Sequence, residues 1–169
     1  MPKLAALAAV CALAAVTATG CGGAKVTTTT NAQGKTTLVC SGRVHFARTK
    51  FVLHAGLAFG AFHRYILKPY RAGTFRKGAP GRTKALVKAG AAALFAYHEL
   101  KLARTDAVCD GPTLRRLASS LNGAVSALAG LRSLKAGTGL GAIGLAGQAV
   151  DRLGGEARSG GASIKDINR

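Results

Sequence analysis

The chain contains no tryptophan, and six phenylalanines and three tyrosines are its only aromatic residues. A core built from it cannot rest on large rings. Acidic residues are almost as scarce, six against twenty-four lysines and arginines, and none precedes Glu99. Paired carboxylates for glycoside or peptidoglycan cleavage are therefore not expected. Asp106 and Asp110, the one close pair, flank Cys109 and read as helix-end and turn residues. The four histidines, His45, His54, His63 and His98, form no H-x-x-x-H or H-E-x-x-H pair. Nine residues turn a helix by about 900°, so His54 faces away from His63. C-x-x-C spacing, the G-x-x-x-x-G-K-[ST] phosphate loop and the G-x-S-x-G elbow are all missing. No metal, cofactor or catalytic residue is expected, and the chain reads as a non-enzyme. An enzyme would need His98, Glu99 and other polar groups gathered in one pocket.

What the chain has in abundance is positive charge. Its formal net charge is +18, and eleven lysines and arginines fall between Arg43 and Lys88 without one acid. Such a field attracts anionic surfaces and polymers, screened over about 8 Å at physiological salt. The competing explanation is compositional: arginines that only solvate the surface of a chain rich in alanine and glycine.

The first twenty-one residues, MPKLAALAAVCALAAVTATGC, have the three-part layout of an export signal. Lys3 is the positive start, Leu4 to Ala18 are uncharged and apolar, and small residues precede Cys21. This apolar stretch is short for a membrane span of about 30 Å. With Ala18-Thr19-Gly20-Cys21 as a lipobox, the segment resembles a bacterial lipoprotein precursor, although alanine stands where leucine is usual. The resemblance covers these residues alone. It implies removal of residues 1–20, lipidation of Cys21, and anchoring on the outer face of the bacterial cytoplasmic membrane. Plain secretion with cleavage before the same cysteine competes, as does an uncleaved anchor. Cys11 lies in the signal, so lipidation of Cys21 leaves Cys40 and Cys109 to pair in an oxidising compartment; two free buried thiols are the alternative. For such a chain, anionic lipid or cell-wall polymer is a nearer partner than nucleic acid, which is not expected.

The mature chain reads as one all-α domain, a small bundle of about four helices, preceded by a short β-hairpin or an extended tether. Residues 21–42 form that N-terminal part, 43–157 the helical domain and 158–169 a mobile tail. Two β-branched runs, Val26 to Thr30 and Lys35 to Cys40, flank the turn formers Asn31 and Gly34. A helix is predicted from Arg48 to Leu67, where Phe51, Ala55, Ala58, Phe62 and Ile66 recur by fours and threes, with Gly56 and Gly60 permitting close approach. Pro69 ends it and opens a loop to Thr83. Around Tyr70 and Phe75, that loop and its edges carry the candidate anion-binding residues Lys68, Arg71, Arg76, Lys77, Arg82 and Lys84. A second helix spans Thr83 to Val108. A third starts at Pro112 or Thr113, with a seam through Leu114, Leu117, Leu121, Ala124, Leu128 and Leu131. The uncharged segment Ala136 to Val150, with Gly141, Gly144 and Gly147 every three residues, is either a close-packed fourth helix continuing to about Ala157 or a glycine-zipper-like segment that meets lipid or self-associates. That second option makes a membrane-active or oligomeric protein the alternative function.

Overall fold

The computed structural model describes residues 25–34, 36–42, 44–136 and 139–164. The signal segment, the lipobox with Cys21, and Gly137 lie outside them. Within them the chain is a mostly helical bundle with a two-stranded sheet, as the sequence pattern predicts.

Threonine and valine runs pair as an antiparallel hairpin, β1 (Lys25–Thr30) and β2 (Thr36–Ser41), with Val26 opposite Cys40. Asn31 builds the turn: its carbonyl accepts from the Gly34 amide at 2.9 Å, and its Oδ1 accepts from the Gln33 amide at 3.2 Å. Gly34 has φ 73°, a left-handed conformation that glycine adopts without steric cost. A lone hairpin is marginal in water, and Val39 is half exposed. The Cys40–Cys109 disulfide, with the two Cα atoms 5.4 Å apart, fastens it to the helical body. Across a sequence separation of 69 residues, loop closure of this size contributes about 4 kcal/mol in the chain-entropy picture.

Helix α1 (Ala47–Phe62) buries the expected stripe, with Phe51, Ala55, Ala58 and Phe62 essentially inaccessible. The helix does not stop before Pro69. It widens into a π-turn at His63–Leu67 and continues as α2 (Lys68–Arg71). Proline removes an amide donor and crowds the carbonyl one turn earlier. The five-residue turn, in which the Lys68 amide reaches the His63 carbonyl, shifts the ladder just ahead of the ring. The helix ends instead at Gly73, with φ 73°, so the connecting loop is shorter than the sequence suggested.

Helix α3 (Arg82–Asp110) runs 29 residues, about 43 Å. Its inner face is almost all alanine: Ala89, Ala93, Ala96, Ala103 and Ala107, with Leu100, are fully buried. These small side chains let α1, with its own buried Gly56 and Gly60, pack closely along most of α3. The third helix comes in three pieces: α4 (Pro112–Arg115), α5 (Ala118–Ala129) and a 3-10 helix at Gly130–Ala136. The seam leucines remain buried. The break at Leu117, whose amide donates to the Leu114 carbonyl, bends the chain around the body. In the 3-10 turn, Leu131 and Leu134 lie one above the other and both face inward.

The glycine-rich segment forms a packed helix, α6 (Ala142–Ser159), burying Ile143, Ala146, Val150, Leu153 and Ala157. Of the every-third glycines, only Gly147 meets a neighbouring element. A methyl group at Gly144 would meet open space, whereas one at Gly147 would touch Leu67 and one at Gly154 would press on Phe59 at 3.3 Å. Two turns apart, Gly147 and Gly154 receive the α1 side. The expected mobile tail is packed as far as it is described. The Ala162 amide donates to the Ala157 carbonyl, Arg48 donates to the Gly160 carbonyl at 3.1 Å, and Ala162 is buried. Among the described residues, no helix is long and apolar enough to cross a membrane.

Candidate anion-binding surface

The six basic residues singled out in the sequence do not form one site. Lys68, on the first turn of α2, lines a recess of about 360 Å³ with Arg64, Tyr65, Pro69, Thr74 and Lys88. Arg71 and Arg76 line a second recess, of about 330 Å³, with Tyr70, Phe75 and Leu140. Arg82 is committed elsewhere: its Nε donates to the Phe75 carbonyl at 3.0 Å, closing the loop onto the start of α3. Lys77 and Lys84 are exposed and line neither recess. Phe75, expected beside the cations as a stacking surface, is buried in the core instead.

Sequence reasoning missed Arg64 and Lys88. Arg64 and Lys68 stand four apart, and they share a face only because the helix runs on through Pro69. Lys88 arrives from α3. Arg64 lies over the Tyr65 ring, its Cζ 5.5 Å from the centroid, a cation–π contact that orients the guanidinium. The recess thus combines three cations with the hydroxyl-bearing side chains of Tyr65 and Thr74, a set suited to phosphate or carboxylate oxygens.

Nothing acidic among the described residues competes for these cations. Among the described residues, the ion pairs all use histidine: His54 with Glu99 and Asp106, and His63 with Asp151. Glu156 accepts a hydrogen bond from the Ser120 hydroxyl, and Asp110 is exposed at the far end of α3. Arg64, Lys68 and Lys88 have no carboxylate partner within ion-pair distance among the described residues.

A second polar feature lies between α1 and α3. His54 Nδ1 donates to Glu99 Oε2 at 2.7 Å, while its Nε2 stands 3.9 Å from Asp106 Oδ2. Glu99 and Asp106 are both buried. Asp106 is therefore not the turn residue its place beside Cys109 suggested. Burial raises its carboxyl from 3.8 to about 6, against the opposing pull of His54 and Lys50. Its Oδ2 and the neighbouring Arg104 Nε are buried without hydrogen-bond partners. The seven-residue step from Glu99 to Asp106 puts both on one side of α3, a signal that was available in the sequence. Glu99 does not join His98 in a pocket, since His98 is exposed on another side of the helix. Among the described residues no three His, Cys, Asp or Glu side chains are grouped to hold a metal ion. The cluster works as a polar key between two helices.

Comparison of the chain with known protein families, with curated proteins and with solved structures finds no match in any of the three.

Proposed function

We propose that this chain is an exported, lipid-anchored envelope protein, a non-enzymatic binding module that turns a basic surface toward an anionic lipid or wall polymer. The observation that carries the anchoring is the Cys40–Cys109 disulfide. With those two joined and Cys11 in the signal, Cys21 is the one cysteine of the mature chain left without a partner. Acylation at the lipobox cysteine gives it a use. The basic surface is supported by the Arg64–Lys68–Lys88 recess, whose cations have no ion-pair partner among the described carboxylates. Ordinary surface lysines and arginines contribute little by pairing, but several unopposed ones together draw in a polyanion, each worth about 1 kcal/mol near an anionic leaflet.

The test is an intact mass of the chain extracted from membranes of a bacterial host. The expected species begins at Cys21, carries acyl chains and is two mass units lighter for one disulfide. A mature chain with an unmodified Cys21, or the whole precursor, would overturn the anchoring. For the basic surface, Lys68 and Lys88 should react more slowly with an amine acylating reagent on phosphatidylglycerol vesicles or wall fragments than on phosphatidylcholine. Equal rates on all three would overturn that half of the reading.

A further inference from the structure

Helix α3 buries mostly alanine, with Leu86, Leu100 and Val108, and leaves three large apolar side chains outside. Val87, Leu94 and Phe95 are each about half exposed. The exposed stripe has a direction. Lys84, Val87, Lys88, Leu94, Phe95, His98 and Cys109 spread over about a third of the helix circumference, counted at 3.6 residues per turn. Its first end is cationic, with Lys84 and Lys88 beside Arg64 and Lys68 of the recess. Its middle is apolar, and its last end is the disulfide that holds the hairpin.

The first described strand starts near the same place. In the hairpin, Val26 pairs with Cys40, which is bonded to Cys109, so β1 begins beside the end of the stripe. From Cys21 to Lys25 the chain can extend at most about 14 Å. A lipid on Cys21 is therefore confined to the hairpin end of α3. Lys88 stands about 32 Å further along the same helix. If α3 stood upright on the bilayer, that distance would exceed the reach of the basic recess, because screening falls off over about 8 Å.

We infer that α3 lies flat on the membrane. Its outward stripe is a lipid-docking surface: Leu94 and Phe95 enter the headgroup boundary, and Lys84, Lys88 and the recess take anionic headgroups. The occupant is an anionic bilayer. Aromatic and leucine side chains flanked by lysines match the interface between hydrocarbon and headgroups. Among the described residues, the one carboxylate of α3 in line with Lys88, Asp106, is buried and faces His54 and Lys50 of α1. Glu99 is held by His54, and Asp110, the exposed acid of the helix, sits at the hairpin end. The inference rests on the anchoring proposed above, but the experiment separates the two.

Because the chain has no tryptophan, a single introduced indole reports without background. The lipidated full chain carrying Phe95→Trp is reconstituted in vesicles of phosphatidylglycerol and phosphatidylcholine with brominated acyl chains. Leu145→Trp on α6, an exposed site away from the stripe, is the comparison, and Leu94→Trp serves if Phe95→Trp does not fold. The expected result is a blue-shifted Phe95→Trp emission, quenched by more than about half, with the Leu145→Trp emission almost unchanged. An anchored protein whose Phe95→Trp and Leu94→Trp indoles both stay wet overturns the flat orientation and leaves the anchoring intact. Equal quenching at Phe95→Trp and Leu145→Trp overturns it as well, since no one face is then chosen. Capture by wall fragments with no quenching by lipid would assign the stripe to polymer and overturn the lipid assignment. The mass of the same preparation reports separately on Cys21.

Discussion

The two sides of α3 differ in a way that a soluble helix packed in a bundle does not require. Ala89, Ala93, Ala96, Ala103 and Ala107 face α1, where Gly56 and Gly60 allow the helix axes to come close. Val87, Leu94 and Phe95 face away. Burying the larger side chains would gain more from the hydrophobic effect, at roughly 25 cal/mol per Å². Close approach is thus achieved mainly with small groups, while Val87, Leu94 and Phe95 stay exposed. Single exposed apolar residues are common; three on one helix face, beside a carboxylate-free cationic recess, are what sets this face apart.

The sharpest way to break the contrast is to truncate a leucine on each side. Leu100→Ala, on the inner side, should cost about 3 kcal/mol, because the fully buried side chain leaves a cavity. Leu94→Ala, on the outer side, should change stability by less than about 0.5 kcal/mol. Urea unfolding of the two variants measures both. Equal losses would mean that the outer side is packed in solution, by a second copy or otherwise, and the contrast would fail.

A smaller effect, of the opposite sign, is expected at the polar key. Asp106 has a carboxyl raised by burial from 3.8 to about 6, so the native state holds its proton more tightly than the unfolded chain does. Its burial is unfavourable above about pH 6, and that cost is relieved as pH falls from about 6 to 4. Asp106→Asn should therefore stabilise the protein by about 2 kcal/mol near pH 7.5, with the gain shrinking through that window. Urea midpoints of wild type and variant across pH check the sign. His54 and Lys50 face this carboxyl from α1 and oppose the shift. A variant less stable than wild type at pH 7.5 would show that their attraction outweighs burial.

The sequence made the hairpin legible because β-branched runs and the Asn31–Gly34 turn agree on it. It made the core stripe of α1 legible because Phe51, Phe62 and Ile66 dominate their neighbours in size. Pro69 misled, since a proline reads as a stop unless the preceding turn widens to accommodate it, and nothing local announces a π-turn. That error separated Lys68 from Arg64 and hid the recess. The candidate anion site was thus legible in charge but not in grouping: loop proximity joined Arg82 to Arg71 and Arg76, which share a recess while Arg82 closes the loop. The sidedness of α3 was illegible for another reason. Apolar residues occur all round that helix, so periodicity cannot say which side is inner until α1 is in place. Glu99 and Asp106 were readable by their seven-residue spacing, but their partner His54 lies on another helix.

The account's central claim is that one face of α3 rests on anionic lipid, rather than that a basic chain adheres anywhere. The most direct measurement uses the anchored full chain with Phe95→Trp and adds one of two charge reversals of equal size. One is Lys84→Glu with Lys88→Glu on α3; the other is Arg152→Glu with Arg158→Glu, both exposed on α6. The account predicts that the α3 pair lifts the indole out of brominated phosphatidylglycerol vesicles and abolishes most of its quenching, while the α6 pair leaves quenching nearly unchanged. Equal effects of the two pairs would reduce the interaction to net charge and contradict the claim.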